Sequence, residues 1–235
     1  MNIYEEYHIT VFGDSIGKGV YTEGDKTGIL RNSAVKLFEK EYNVEIDNRS
    51  AYGQTLKKFK ARNNLEKYLE GLDRSENALN IAVIELGGND ADFKWAEVGK
   101  NPHGKHNSVT DVEDFSRTYG DMIQRLKAEN VKVVTCTIVP ISSKRYFNNV
   151  ISKIADKDGV LEFFNGDFDT IHRHQEMFNN EILKNSYLYG AKVIDIRKNF
   201  LNSTDFESLM CMDGIHPNAD GQSEIYGAVE EFLAS

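Results

Sequence analysis

Ser15 carries the first chemistry that this sequence offers. It stands in Gly13-Asp14-Ser15, directly after the apolar run Ile9-Thr10-Val11-Phe12, where a first strand would turn into a loop. A hydroxyl presented there can act as a nucleophile if a base takes its proton. The same stretch, Gly13-Asp14-Ser15-Ile16-Gly17-Lys18-Gly19, invites comparison with a phosphate-binding loop, but the spacing defeats it. That loop needs four residues between its glycine and the Gly-Lys pair, then a Ser or Thr for magnesium. Only three intervene here, and Gly19 follows the lysine. The dinucleotide fingerprint fails as well, because Thr22 stands where its third glycine belongs.

Three further motifs follow in order: Asn48-Arg49-Ser50-Ala51-Tyr52-Gly53, then Gly87-Gly88-Asn89-Asp90, then Asp213-Gly214-Ile215-His216-Pro217. The first two lie, like Gly13-Asp14-Ser15, just after an expected strand, and the last lies just before the final helix. In an open parallel sheet the carboxyl ends of the strands gather at one edge, where ligands bind. Motifs far apart in sequence would therefore meet in one crevice.

From Gly13 to His216 this ordered set resembles the SGNH hydrolases, also called the GDSL esterase and lipase family, with Ile16 in place of the usual leucine after the serine. The resemblance implies Ser15 as nucleophile, His216 as general base and Asp213 as its orienting partner. It also implies an oxyanion hole built from the backbone N–H groups of Ser15 and Gly53 and the side-chain amide of Asn89. The residues suit these roles. Of the six histidines, His216 alone has a carboxylate three residues before it and a proline after it. Pro217 disfavours the α conformation at His216, and Asp213 can bind Nδ1–H and fix the tautomer. Taken singly, Gly53 reads as a turn glycine and Asn89 as a loop-capping amide; beside Ser15 and His216 they acquire matching roles. Asp14 and Asp90 flank the candidates and read as supports that accept backbone N–H bonds and stiffen the loops.

The remaining reactive side chains suggest less. His103-x-x-His106 lacks a carboxylate or cysteine at ligand spacing, and His172 and His174 would not share a helix face. No metal and no cofactor is expected. Cys136 reads as a small core hydrophobe and Cys211, two residues before Asp213, as a free thiol without a base of its own.

These motifs need a scaffold, and the hydrophobic pattern supplies one. Strands are expected at 8–13, 44–49, 80–86, 131–138 and 191–196. Helices are marked by Leu30, Ala34, Phe38 and Tyr42, and by Ile225, Val229, Phe232 and Leu233. A Thr110-x-x-Glu113 capping box precedes a third, with Val112, Phe115, Tyr119, Met122 and Leu126 at helical spacing. Strands alternating with helices imply a three-layer α/β/α sandwich on a five-stranded parallel sheet; the flavodoxin-like order 2-1-3-4-5 is what the resemblance adds. No repeat or linker divides residues 1–235, so a single domain is expected. Residues 91–110 and 140–168 read as loops beyond the usual length. Their aromatics, Phe93 and Trp95 in the first and Tyr146, Phe147, Phe163 and Phe164 in the second, could wall a substrate or pack beneath the loops.

Composition bounds the function. A net charge of −9 disfavours nucleic acid and anionic membranes as partners, and no apolar run is long enough to span a bilayer. The segment Met1–Glu6 is acidic and lacks a leader pattern, which gives a cytoplasmic expectation. The expected activity is that of a serine esterase removing a short acyl group, acetyl first, from a hydroxylated small molecule such as a sugar. A lysophospholipase or thioesterase is the alternative among enzymes, and a non-catalytic carbohydrate-binding protein on the same fold the alternative of another class.

Overall fold

The computed structural model describes residues 7–24, 26–75 and 77–235; the segment 1–6, read above for its lack of a leader, lies outside them. Strand β1 (Tyr7–Gly13) is an interior strand of a parallel sheet, and its second half, with the apolar Val11 and Phe12, is buried. It pairs with β4 (Ile46–Asn48) on one side and β5 (Leu79–Glu85) on the other. Strands β6 (Lys132–Cys136) and β7 (Lys192–Ile194) extend the β5 side, giving the order β4-β1-β5-β6-β7. Counting only the strands of this sheet, that is 2-1-3-4-5. The chain leaves β1 in one direction and returns to β5 on its other flank, so the carboxyl ends of these two strands open a crevice at the switch point.

Side chains alternate across the strands with period two, and each set meets its own layer of helices. Phe12, Ala82 and Ile84 pack on one face with residues of α2 (Leu56–Ala61), α3 (Asn64–Glu70), α5 (Val112–Ala128) and α9 (Asp169–Tyr189). Val134, Cys136 and Ile194 pack on the other with α1 (Ala34–Tyr42), α10 (Ile196–Asn202) and α11 (Ala219–Leu233). The result is the expected three-layer α/β/α sandwich.

Three expectations are corrected. The stretches 91–110 and 140–168 are not plain loops: the first holds one helix, α4 (Trp95–Lys100), and the second is largely helical, with α6 (Ser143–Tyr146), a π-helical stretch (Phe147–Ile151), α7 (Ser152–Ile154) and α8 (Lys157–Phe163). None exceeds 7 residues, too short for a 3.6-residue period to show. They hold together through a core of their own that includes Trp95, Val98, Tyr146, Phe147, Val160 and Phe164. Second, the cap of α5 is Asp111, which accepts the N–H groups of Glu113 and Asp114; Thr110 instead donates its hydroxyl to buried Asp90. A carboxylate also suits the positive end of a helix better than a hydroxyl. Third, an antiparallel hairpin of β2 (Val20–Glu23) and β3 (Lys26–Ile29) follows the Ser15 loop, where no strand was expected.

Candidate active site

The loop after β1 is tied down from below. Asp14 Oδ1 accepts the Ile16 N–H at 2.8 Å, and Glu85, the last residue of β5, accepts the N–H groups of Asp14 at 3.2 Å and Gly17 at 3.0 Å through Oε2. A Cβ on Gly13 or Gly17 would come within 2.6 or 2.8 Å of Ser50 Oγ and within 2.8 or 2.9 Å of Glu85 Oε2. The two glycines that mimic a phosphate loop thus make room for a hydroxyl and a carboxyl of the neighbouring strand ends. Burial pushes the Asp14 carboxyl up to about 6, against the pull of the Ile16 N–H. Glu85 is pushed well above the usual carboxylate range, first by burial and then by the charge of Asp14.

Ser15, His216 and Asp213 meet directly above this loop. Ser15 Oγ lies 3.0 Å from His216 Nε2, and His216 Nδ1 lies 2.6 Å from Asp213 Oδ2. With Nδ1–H donated to the carboxylate, Nε2 is left to accept the serine proton. Ser15 and His216 are only 6% and 4% exposed, so bulk water hardly competes for these bonds. Asp213 Oδ1 accepts the backbone N–H groups of Ile215 and His216 at 3.0 Å each, and Oδ2 also accepts the Thr22 hydroxyl at 2.6 Å. Burial alone would raise the Asp213 carboxyl; the His216 and Thr22 hydrogen bonds and the imidazole charge outweigh it and hold it at about 2. The segment turns tightly because Cys211 N–H bonds to the His216 carbonyl and Gly214 takes a φ of 76° against Ser142 O.

Asn89 reaches the site from the turn after β5. Its Nδ2 donates to Asp14 Oδ2 at 2.9 Å, which leaves the second N–H of the amide for another acceptor. Asp90 fixes the same turn to the start of α2: its two oxygens accept the Leu56 N–H at 3.0 and 2.8 Å. Burial raises its carboxyl, opposed by the Thr110 and Leu56 hydrogen bonds.

A cavity of about 60 Å³ opens beside Ser15, Asn89 and His216. Its wall is mostly apolar, with Gly88, Ala91, Ile138, Ile141 and Ile171 among the lining residues. Phe93, Trp95 and Tyr146 from the helical cap also line it, whereas Phe147 and Phe164 sit in the core of the cap and Phe163 packs against that core. Asp92 braces the aromatic wall by accepting Trp95 Nε1–H at 2.7 Å and the Tyr146 hydroxyl at 2.9 Å. Gly53 is not among the lining residues; it holds a left-handed φ of 61° in the neighbouring turn, and its carbonyl takes the Lys58 ammonium at 2.8 Å.

Three residues join the site without having been singled out for it. Thr22 meets Asp213, Glu85 underlies the Ser15 loop, and the exposed ring of Tyr52 lies nearly parallel to His216, 17° between planes and 6.1 Å between centroids. The other five histidines are engaged elsewhere: His8 with Asp73, His103 with Glu162, His106 with the Asn101 carbonyl, His172 with Arg197, and His174 against Phe93. Among the described residues no group of three or more His, Cys, Asp or Glu side chains could hold a metal ion, and no helix is long and apolar enough to cross a membrane.

Comparison with known proteins adds a lineage to this geometry. Residues 11–223 match the model of the GDSL-like Lipase/Acylhydrolase family, while no curated protein matches the chain. Among solved structures, a lipase/acylhydrolase from Enterococcus faecalis superposes with a TM-score of 0.63 at 18% identity, covering 97% of this chain and 95% of that one. The psychrotrophic esterase EstA from Pseudoalteromonas sp. gives 0.61 at 19%, covering 97% of each chain. The acetyl xylan esterase AlAXEase gives 0.59 at 20%, covering 95% and 98%. At such identities the superpositions speak for the fold.

Proposed function

We propose that this chain, which belongs to the GDSL-like lipase/acylhydrolase family and is an ester hydrolase, is a serine esterase that removes a short acyl group, acetyl above all, from a hydroxylated small molecule such as a sugar. The observation that carries the mechanism is the continuous path Ser15 Oγ, His216 Nε2, His216 Nδ1, Asp213 Oδ2, with steps of 3.0 and 2.6 Å on either side of the ring. Ser15 Oγ attacks the ester carbonyl and passes its proton to Nε2; Asp213 stabilises the imidazolium. The oxygen that gains charge is received by the Asn89 amide and the Ser15 N–H, with the Gly53 N–H as third donor. Collapse of the tetrahedral adduct breaks the ester C–O bond, and the imidazolium protonates the departing alcohol. Water, deprotonated by His216, then attacks the acyl-enzyme, and Ser15 leaves with its proton restored.

The short-acyl reading rests on volume. An apolar cavity of about 150 Å³ holds one benzene, and the cavity beside Ser15 is less than half that size. Each methylene gains about 0.8 kcal/mol on burial only while space remains. On p-nitrophenyl esters from acetate to palmitate, kcat/KM is expected to peak between acetyl and butyryl and to fall steeply by octanoyl. Acetylated sugars run beside them report the alcohol side. Ser15→Ala should abolish turnover while the chain stays folded. Wild-type-like rates in that variant remove Ser15 as nucleophile, and a rate that still climbs at dodecanoyl favours the lysophospholipase alternative.

A further inference from the structure

We propose that the β2–β3 hairpin is a brace between the two ends of the Ser15–His216–Asp213 path, and that Thr22 is its positioning residue. The inference rests on the reading of those three residues as the reacting path. The hairpin is rooted in the Ser15 loop: the Val20 N–H bonds to the Ser15 carbonyl at 2.8 Å, and the Leu30 N–H closes the hairpin's base on the Gly19 carbonyl at 2.8 Å. Gly19 adopts a φ of 76° there, and a Cβ would meet Ser33 Cβ at 2.4 Å, so the base has one seating. Two residues on from Val20, the Thr22 hydroxyl donates to Asp213 Oδ2 at 2.6 Å, and the Thr22 N–H points to Cys211 Sγ at 3.4 Å. Thr22 and Asp213 are 191 positions apart in sequence. One short hairpin therefore holds the serine by its main chain and the aspartate by a side chain.

The bond matters because of which oxygen it uses. Oδ2 is also the acceptor of His216 Nδ1–H, and Oδ1 is occupied by the Ile215 and His216 amides. With Thr22 in place the carboxylate has four donors and a single rotamer, and the imidazole is aimed at Ser15 before substrate arrives. Without the hydroxyl, Oδ2 keeps the imidazole as its only donor. The carboxylate is then less neutralised, grips the ring proton harder and gains freedom to turn.

Thr22→Val keeps the shape and removes the donor; Thr22→Ser keeps the donor and removes the methyl. Thr27→Val, on the exposed residue paired with Thr22 across the hairpin, controls for hairpin damage. On p-nitrophenyl acetate, Thr22→Val is expected to lower kcat about tenfold, the scale of one hydrogen bond to a charged group, with KM within about twofold. The acid limb of the kcat/KM profile should move to higher pH. The other titratable groups facing Asp213 are His216, Cys211 and Tyr146, and Asp14 faces His216; the substitution leaves all of them in place. Thr22→Ser should restore both rate and limb, and Thr27→Val should match wild type. Equal losses in Thr22→Val and Thr22→Ser with an unmoved limb would reduce Thr22 to packing and overturn the proposal, as would wild-type behaviour of Thr22→Val. The downfield proton resonance of the His216–Asp213 hydrogen bond reads the brace without turnover. It should shift in Thr22→Val and return in Thr22→Ser, and an unmoved signal sinks the brace even if esterase activity stands. A wild type that hydrolyses no ester sinks the esterase reading instead, whatever the resonance does.

Discussion

Asn89 has two duties on one amide, and its removal should expose both. One N–H steadies Asp14, whose own carboxylate fixes the turn that carries Ser15; the other is the proposed donor to the developing oxyanion. A donor of that kind contributes about 3–4 kcal/mol in the transition state, so Asn89→Ala should lower kcat by about 10²–10³ with little change in KM. A loss falling mainly on KM would place the amide in ground-state binding. At this scale the sequence exposes whatever sits inside a short motif: Ser15, Asn89, Asp213 and His216 each stand beside a glycine, a proline or a second polar residue that marks a turn. Thr22 and Glu85 lie in strands outside any such motif, and Tyr52, although beside Gly53, shows nothing locally that points to His216. Their roles depend on the register between β1 and β5 and on where the hairpin falls, and no local pattern near position 22 refers to position 213.

Two glycines decide whether the helical cap closes. A Cβ on Gly159, in α8, would lie 2.0 Å from the Gly99 carbonyl oxygen in α4, and one on Gly99 would strike the Asp156 backbone at 2.8 Å. Backbone cannot yield as a side chain does, so Gly159→Ala must push α8 off α4 and loosen the core around Trp95 and Val98. The expected cost is about 1–3 kcal/mol, the range for overpacking, read as a lower midpoint in urea. Gly71→Ala, at a φ of −91° with nothing nearer than 3.6 Å, is the control and should leave the midpoint within about 0.5 kcal/mol. An unchanged Gly159→Ala midpoint would mean that the helices are not in contact. The same crossing explains why the cap read as loops: with 6 and 7 residues, its helices are set by a glycine contact and shared aromatics rather than by a stripe. Helix α9 hid for another reason. Its buried face includes Gln175, Asn179, Asn185 and Ser186, which bond to Val139 O, Ile138 N–H, Ser116 and Thr135. Buried polar groups erase a hydrophobic stripe while packing as well as one. Strands β1, β5 and β6 and helix α5 were legible because consecutive or regularly spaced apolar residues run through them: Val11 and Phe12, Ala82 and Ile84, Val133 and Val134, and Phe115, Met122 and Leu126.

For the molecule as a whole, the buried acids beneath Ser15 set how stability depends on pH. Asp14, at about 6, and Glu85, higher than the usual range, bind protons more tightly folded than unfolded. Their contribution is therefore harmless below the unfolded values and turns increasingly unfavourable as pH rises toward the folded ones. Asp213, at about 2, works in the opposite sense: it stabilises the fold above about pH 4 and loses that effect as pH falls through 2. The most stable condition should be mildly acidic. Glu85→Gln keeps an oxygen for the Asp14 and Gly17 amides and removes the titration. It should match wild type near pH 4 and be more stable than wild type at pH 8, because only the carboxyl must give up its proton there. Urea titrations at the two pH values check this, and an equal difference at both would clear Glu85 of the effect. Chain order has a consequence of its own for the proposed enzyme. Ser15, Asn89 and every strand of the sheet are complete by Ile194, whereas Asp213 and His216 come after it. At roughly 5–20 residues per second, a ribosome needs about one to four seconds to pass from the last strand to the histidine. During that interval a nascent chain carries the nucleophile without its base, and the half-made polypeptide is inert toward the esters around it.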